Sequence, residues 1–336
     1  MSQAPNIDGV LIQWGDRLFY PGNRIVRTKP QPKLGASAAR QRATAIRERI
    51  EATVVRRAPQ VMVKVTGGGR GMKAIAAHFR YISKNGRLDI EDERGETLRG
   101  KDVLPELADD WRFGGTLIDD VGDRREAFNI MLSMPRSTDP LTVQRAAREF
   151  AQIELADHKY VMVLHDHQAN PHVHISVRAE SKHGKRLNPR KADLHRWRET
   201  FAEKLRGHGI EAEATRQATR GRSRNYDPLW RIKAREDGRL RSTRAGAKGG
   251  SRAIATRAEA VQAWMHIGRS LAASGIAADQ DLARSIMGFV QEQLPVQAAG
   301  GVDKTDGGAQ RGSSARTHAD KTVDGQTRSE VPAPTR

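Results

Sequence analysis

The chain has 336 residues, and its 58 Lys and Arg against 40 Asp and Glu give a formal net charge of +18. A length of this order allows about two or three domains, while the absence of cysteine excludes disulfides, thiol nucleophiles, zinc ribbons and iron–sulfur clusters. An apolar fraction of 37% is low for a wholly packed chain, so part of it is expected outside any core. The charge points to a polyanionic partner, nucleic acid or an anionic membrane surface.

The charge is concentrated. Residues 181–257 hold 22 lysines and arginines against 8 acids, which is most of the excess. No apolar run is long enough to span a bilayer, and the N-terminus lacks a basic flank followed by an apolar stretch, so neither membrane insertion nor a secretory signal is expected. Zero cysteine fits a reducing compartment.

Residues 1–60 read as an N-terminal extension, polar and broken by Pro21, Pro30 and Pro32, with a basic helix over Ser37–Val55. Val61–Val65 has strand composition and runs into the turn signal Gly67-Gly68-Gly69-Arg70-Gly71. This loop is not a Walker motif, because Lys and Ser/Thr are not at the required places. Met72, Ile75, Phe79 and Ile82 then recur at helical spacing, and Asn85-Gly86 stops that helix. Residues 87–125 are charged, with a weak amphipathic segment over Val103–Trp111. Ala127–Met134 alternates as a strand ended by Pro135. Asp139 caps a helix over Leu141–Leu155.

Tyr160–Leu164 and His172–Arg178 read as the two strands of an antiparallel hairpin joined through His165–Pro171. In the second strand Val173, Ile175 and Val177 share one face, and His172, His174, Ser176 and Arg178 the other. Leu194, Trp197, Phe201 and Leu205 mark a further helix. Residues 222–253 form a basic linker, 254–294 a small helical region, and 295–336 a Gly/Ser/Thr/Asp-rich tail expected to be disordered.

The hairpin brings three histidines together. His172 and His174 project from one face, and His165 stands where the loop returns beside them. Neutral imidazole is a common metal ligand, and three ligands leave positions open, as in a catalytic site. The alternative is a polar sheet face that happens to carry histidines. His167 is a fourth candidate, and Asp166 is either a ligand or a group that orients an imidazole. The other seven histidines, among them His78, lack such spacing and read as ordinary. Metallo-β-lactamase and cupin arrangements do not fit, for want of the required acid and final histidine in one case and of strands in the other.

Tyr81 falls off the apolar stripe of its helix, on the side of Ala74 and Ala77, with Arg80 and Lys84 nearby. A phenol among cations is favoured as phenolate; an amphipathic surface tyrosine is the plainer reading.

Taken together, Gly67-Gly68-Gly69, the segment Phe79-Arg80-Tyr81-Ile82-Ser83-Lys84-Asn85-Gly86 and the later His165-Asp166-His167-Gln168-Ala169-Asn170-Pro171-His172-Val173-His174 resemble relaxases. More narrowly, they are similar to mobilisation nucleases related to the border endonuclease of plant tumour-inducing plasmids, within the superfamily of His–hydrophobic–His nucleases. The resemblance covers roughly residues 61–221. It implies Tyr81 as nucleophile and His165, His172 and His174 as ligands of a divalent metal ion. That ion is usually Mg²⁺ or Mn²⁺ in the family, whereas three imidazoles favour softer first-row ions. It also implies a DNA contact by the Ser133 hydroxyl and a basic segment ending the nuclease domain, here Ala214-Thr215-Arg216 and Arg220-Gly221. Arg80, Lys84 and Arg178 are secondary candidates for phosphate contact. Relatives often carry an acid two places after the first histidine; His167 stands there, with Asp166 next door.

The fold expected is α+β: an antiparallel sheet of about five strands with helices on one face and the site on the open face, the fifth strand coming from the resemblance. The function implied is nicking of transfer-origin DNA, single-stranded at the nick, through a 5′-phosphotyrosyl adduct that passes to a recipient cell. Accessory DNA-binding proteins, a coupling protein and a type IV secretion apparatus are the partners implied. The location implied is cytoplasmic and DNA-bound, with export alongside the transferred strand. A rolling-circle replication initiator of the same superfamily is the alternative, although such proteins usually place the histidine motif before the tyrosine. A non-enzymatic basic DNA-binding accessory protein would explain the charge but neither Tyr81 nor the histidines. A hydrolase acting on a small substrate does not explain the charge.

Overall fold

In a computed structural model of the chain, residues 6–20, 35–167, 170–220, 237–239 and 251–292 are described. The expected linker lies outside them except for residues 237–239 and 251–253, and so does the expected tail. Among the described residues there are eight helices and six strands. The helices are α1 (Ile7–Phe19), α2 (Ala36–Val54), α3 (Met72–Ile82), α4 (Val103–Phe113), α5 (Pro140–Glu154), α6 (Lys191–Gly207), α7 (Ser251–Ala272) and α8 (Ala277–Gln291). The strands are β1 (Met62–Gly67), β2 (Ile90–Asp92), β3 (Thr97–Leu98), β4 (Ala127–Ser133), β5 (His158–His165) and β6 (His172–Ser181).

The strands form one open antiparallel sheet in the order β1-β4-β6-β5-β2-β3. The fold is α+β. Four strands lie where the sequence places them, with ends shifted by a few residues. The other two, β2 and β3, fall in the charged segment 87–125 and are too short to carry a readable alternation.

Alternation along the central strands sends apolar side chains to both faces. Phe128, Ile130, Leu132, Tyr160, Met162, Val173, Ile175 and Val177 meet the apolar stripes of α5 and α6, including Phe150, Trp197 and Phe201. The opposite face carries Ala127, Val161 and Val163, which pack under Met72, Ile75 and Phe79 of α3 and Leu107 and Trp111 of α4. Helices α5 and α6 thus form the expected back layer. Helices α3 and α4 occupy part of the histidine face as well, because Val161 and Val163 also need cover. The remainder, over β1 and β4, stays open, with Met62, Lys64 and Thr66 exposed.

Helix α3 begins and ends sharply. Its first amides are satisfied by the loop after α4, where Met72 N and Lys73 N donate to the Asp119 and Asp120 carbonyls. It stops because Lys84, Asn85 and Gly86 all take positive φ (51°, 58° and 79°). A side chain at Gly86 would also collide with the backbone of Gly100, so glycine is required there.

Residues 1–60 are more structured than the sequence suggests. Helix α1 was not anticipated. Asn6 caps it by accepting from the Gly9 amide, and it buries Leu11, Leu18 and Phe19. Together α1, α2, α7 and α8 share one core around Ile46, Ile50, Trp264, Ile267, Ile286 and Phe289. Gly15 lets α1 approach Ile46 of α2 with no room for a Cβ.

This helical layer meets the back of the sheet through polar contacts. The Arg49 guanidinium lies 3.0 Å from both Glu199 and Glu213. The Thr219 hydroxyl donates to the Leu18 carbonyl, and the Trp264 indole donates to the Thr219 carbonyl, each at 2.8 Å. Arg49 and Glu213 are both nearly buried, and removing one partner of such a pair leaves an uncompensated charge. Arg49→Met is therefore expected to cost about 3 kcal/mol in urea unfolding, and Arg57→Met, which breaks an exposed pair with Glu292, less than about 1 kcal/mol. Equal losses would show that the Arg49 contacts do not hold the interface.

Candidate metal and nucleophile site

The β5–β6 register sets the histidine cluster. His165 pairs directly with His172, and His174 pairs with Val163 on the same ladder. Direct cross-strand partners point to one face, and so do residues two apart on a strand. The three rings accordingly converge, with centroids 5.0 Å (His165–His172), 4.7 Å (His165–His174) and 5.0 Å (His172–His174) apart. All three side chains are buried, and one nitrogen from each lies within 4.8 Å of the others.

Hydrogen bonds assign the nitrogens. The Nε2–H of His165 donates to the Ile82 carbonyl at 2.7 Å, which leaves Nδ1 as the lone-pair nitrogen, buried and without a protein partner. The Nδ1–H of His172 donates to the Asn170 carbonyl at 2.9 Å, leaving Nε2. The Nδ1 of His174 is buried with no protein partner. Burial lowers the pKa of all three; for His174 the neighbouring imidazoles His165, His172 and His78 add to it, and the value falls to about 3. Three neutral imidazoles, two of them with buried nitrogens that have no partner in the protein, are a fitting donor set for a divalent transition metal.

Two backbone carbonyls, those of Ile82 and Asn170, orient the rings of His165 and His172. Asp166 is exposed, and its Oδ1 lies 3.9 Å from His167 Nδ1. His167 borders the cluster, its ring 5.2 Å from that of His165.

Helix α3 delivers Tyr81 to the same place. The tyrosine is 69% exposed, and its ring centroid is 6.5 Å from that of His174. Arg80 and Lys84 are exposed on either side of it. Ser133 is the cross-strand partner of His172, so its hydroxyl lies on the histidine face. That hydroxyl is buried and donates toward the Pro171 carbonyl at 3.3 Å.

Three other candidates have different tasks. Arg178 is buried, and its guanidinium donates to the carbonyls of Trp111 (2.6 Å) and Thr116, pinning the loop after α4. Arg216 donates to the Arg17 carbonyl at 3.0 Å, while Arg220 donates to the Ala58 carbonyl at 2.7 Å and to the Thr215 hydroxyl. The guanidiniums expected to meet phosphate are thus engaged by backbone and side-chain oxygens within the protein. Arg178 alternates correctly onto the histidine face, but the α4 loop covers it there.

His78, which has no metal-ligand spacing in the sequence, lies beside the cluster. It lies three residues before Tyr81 on α3, its ring 6.0 Å from Tyr81 and 6.4 Å from His174. The i, i+3 spacing was a readable signal, but its meaning depends on α3 lying over His174.

An unfolded histidine takes up a proton below its ordinary pKa of 6.5, whereas folded His174 resists down to about 3. Between those values the folded state binds fewer protons, so stability falls as pH falls. Urea unfolding of the metal-free protein is expected to give about 2 kcal/mol less stability at pH 5 than at pH 7 from His174 alone. An unchanged free energy, or a loss that His174→Gln leaves intact, would contradict its burial as a neutral ring.

Residues 81–210 match the family model described as relaxase, MobA/VirD2-like, nuclease domain. That span includes Tyr81 and the three histidines and begins within α3. No curated protein gives a significant match to the chain. No described helix is long and apolar enough to cross a membrane.

Proposed function

Residues 81–210 carry a nuclease domain of the relaxase/mobilisation family, and with it a DNA-nicking function in general; we propose that the chain nicks one strand of a transfer origin by transesterification through Tyr81. The observation that carries this reading is the approach of an exposed tyrosine to three buried neutral histidines, 6.5 Å from ring to ring at His174. A surface tyrosine kept for packing has no reason to stand beside a preformed triad of ligands.

The Tyr81 oxygen attacks the scissile phosphorus. A Tyr81 O–P bond forms, the P–O3′ bond breaks, the phenolic proton is lost, and the departing 3′-oxygen takes up a proton. The strand's 5′ end stays linked to Tyr81, and the linkage conserves the bond energy for later rejoining. His165, His172 and His174 would hold a divalent ion, which when bound polarises the phosphate and offsets its developing charge. Arg80 and Lys84 are placed to bind phosphates flanking the nick, and Ser133 to orient the site beside His172. In this reading the DNA-linked chain leaves the cell through a type IV secretion apparatus, with a coupling protein and accessory DNA-binding proteins as partners.

Incubation with Mn²⁺ and labelled single-stranded oligonucleotides tiling the transfer origin is expected to give a denaturation-resistant adduct. Tyr81→Phe should abolish it while changing oligonucleotide affinity less than about threefold. An adduct that survives in Tyr81→Phe would remove Tyr81 as the nucleophile. In calorimetry, His172→Ala should weaken Mn²⁺ binding at least about tenfold, since each ligand and its support contribute on that scale; unchanged binding would remove His172 from the ligand set.

A further inference from the structure

We propose that His78 is a catalytic residue of this site, donating a hydrogen bond to a non-bridging oxygen of the scissile phosphate. The inference rests on the reading of Tyr81 as nucleophile and the three histidines as the metal site, and adds a group to it.

The rings of His78, Tyr81 and His174 form a nearly equilateral triangle, with sides of 6.0, 6.4 and 6.5 Å. A phosphorus attacked by Tyr81 while its oxygens face the histidine triad must lie between Tyr81 and His174. The third corner of the triangle then borders the phosphate. His78 is also held there from both sides. It sits on the last two turns of α3, whose stripe Met72, Ile75, Phe79 and Ile82 is locked into the core, and α3 is tied to His165 at Ile82.

The chemistry matches. The Nε2 of His78 is buried and has no hydrogen-bond partner in the protein. A buried polar nitrogen left unpaired is costly in a folded chain, and a phosphate oxygen would supply its partner. A neutral imidazole offers one N–H, and the remaining nitrogen can accept from solvent or DNA. A donor fixed in advance at the place where charge develops stabilises the transition state more than the bound substrate. Arg80 and Lys84 are exposed, whereas the Nε2 of His78 is fixed in the wall of the site.

The test compares His78→Phe, which keeps a ring, with His78→Gln, which keeps a donor, in the full-length protein with Mn²⁺ and the oligonucleotide that wild type cleaves. His78→Phe is expected to lower the adduct-forming rate at saturating DNA about 100-fold, as expected for loss of one preorganised donor. Its Mn²⁺ and oligonucleotide affinities should stay within about threefold of wild type. His78→Gln should recover at least about tenfold of the lost rate. A His78→Phe rate within twofold of wild type would overturn the proposal. So would weakened Mn²⁺ binding in step with the rate, because His78 would then act by supporting His174. Wild-type protein that forms no adduct on any oligonucleotide would instead sink the reading of Tyr81 on which the proposal rests.

Discussion

A single hydrogen bond, from His165 Nε2–H to the Ile82 carbonyl at 2.7 Å, ties the two halves of the site together. The last carbonyls of a helix lack partners within it, and here one of them is satisfied by His165. The bond does three things at once. It sets the His165 tautomer, so that Nδ1 keeps its lone pair. It fixes the ring's orientation without an acidic side chain. It also places the C-terminal end of α3, and with it Tyr81 one residue earlier, at a set distance from the triad. The proposed nucleophile and the candidate metal ligands come from segments more than eighty residues apart, and this contact ties the segments together.

The rest of the nuclease layer supports that contact. The apolar stripe of α3 is buried against Val161, Val163 and Trp111, so the helix cannot roll. The turn after α3 reverses through three consecutive positive-φ residues, which ends the helix at Ile82 and leaves its carbonyl free for His165. Arg178 holds the loop whose Asp119 and Asp120 carbonyls receive the first amides of α3. Both ends of the helix are therefore anchored by backbone groups. The strip over β1 and β4, where Met62, Lys64 and Thr66 are exposed, continues the histidine face of the sheet, with Lys64 in line with Met131 and His174.

The positive charge that marks the sequence is divided between two tasks. Arg49, Arg178, Arg216 and Arg220 donate to carboxylates or carbonyls inside the protein, two of them within the segment that was expected to grip DNA. Such arginines join layers of structure. Arg80 and Lys84 stay exposed beside Tyr81. Net charge correctly indicated a polyanion, since the chain carries a relaxase-family domain, but it did not say which cations face it. That distinction depends on what surrounds each guanidinium.

Local periodicity by itself determined a good deal. The strands β1, β4, β5 and β6, the helices α3, α5 and α6, the off-stripe position of Tyr81 and the shared face of His172 and His174 all follow from spacing of about two or 3.6 residues. The pairing of His165 with His172 follows from the short connection between their strands. Only the tertiary structure decided what lies opposite. It covered Arg178, brought His78 to His174, gave His165 and His172 the Ile82 and Asn170 carbonyls as partners, and joined α1 and α2 to helices some two hundred residues later. Periodicity tells which way a side chain points within its own element. What it meets there is set by long-range packing, which leaves no mark in neighbouring residues.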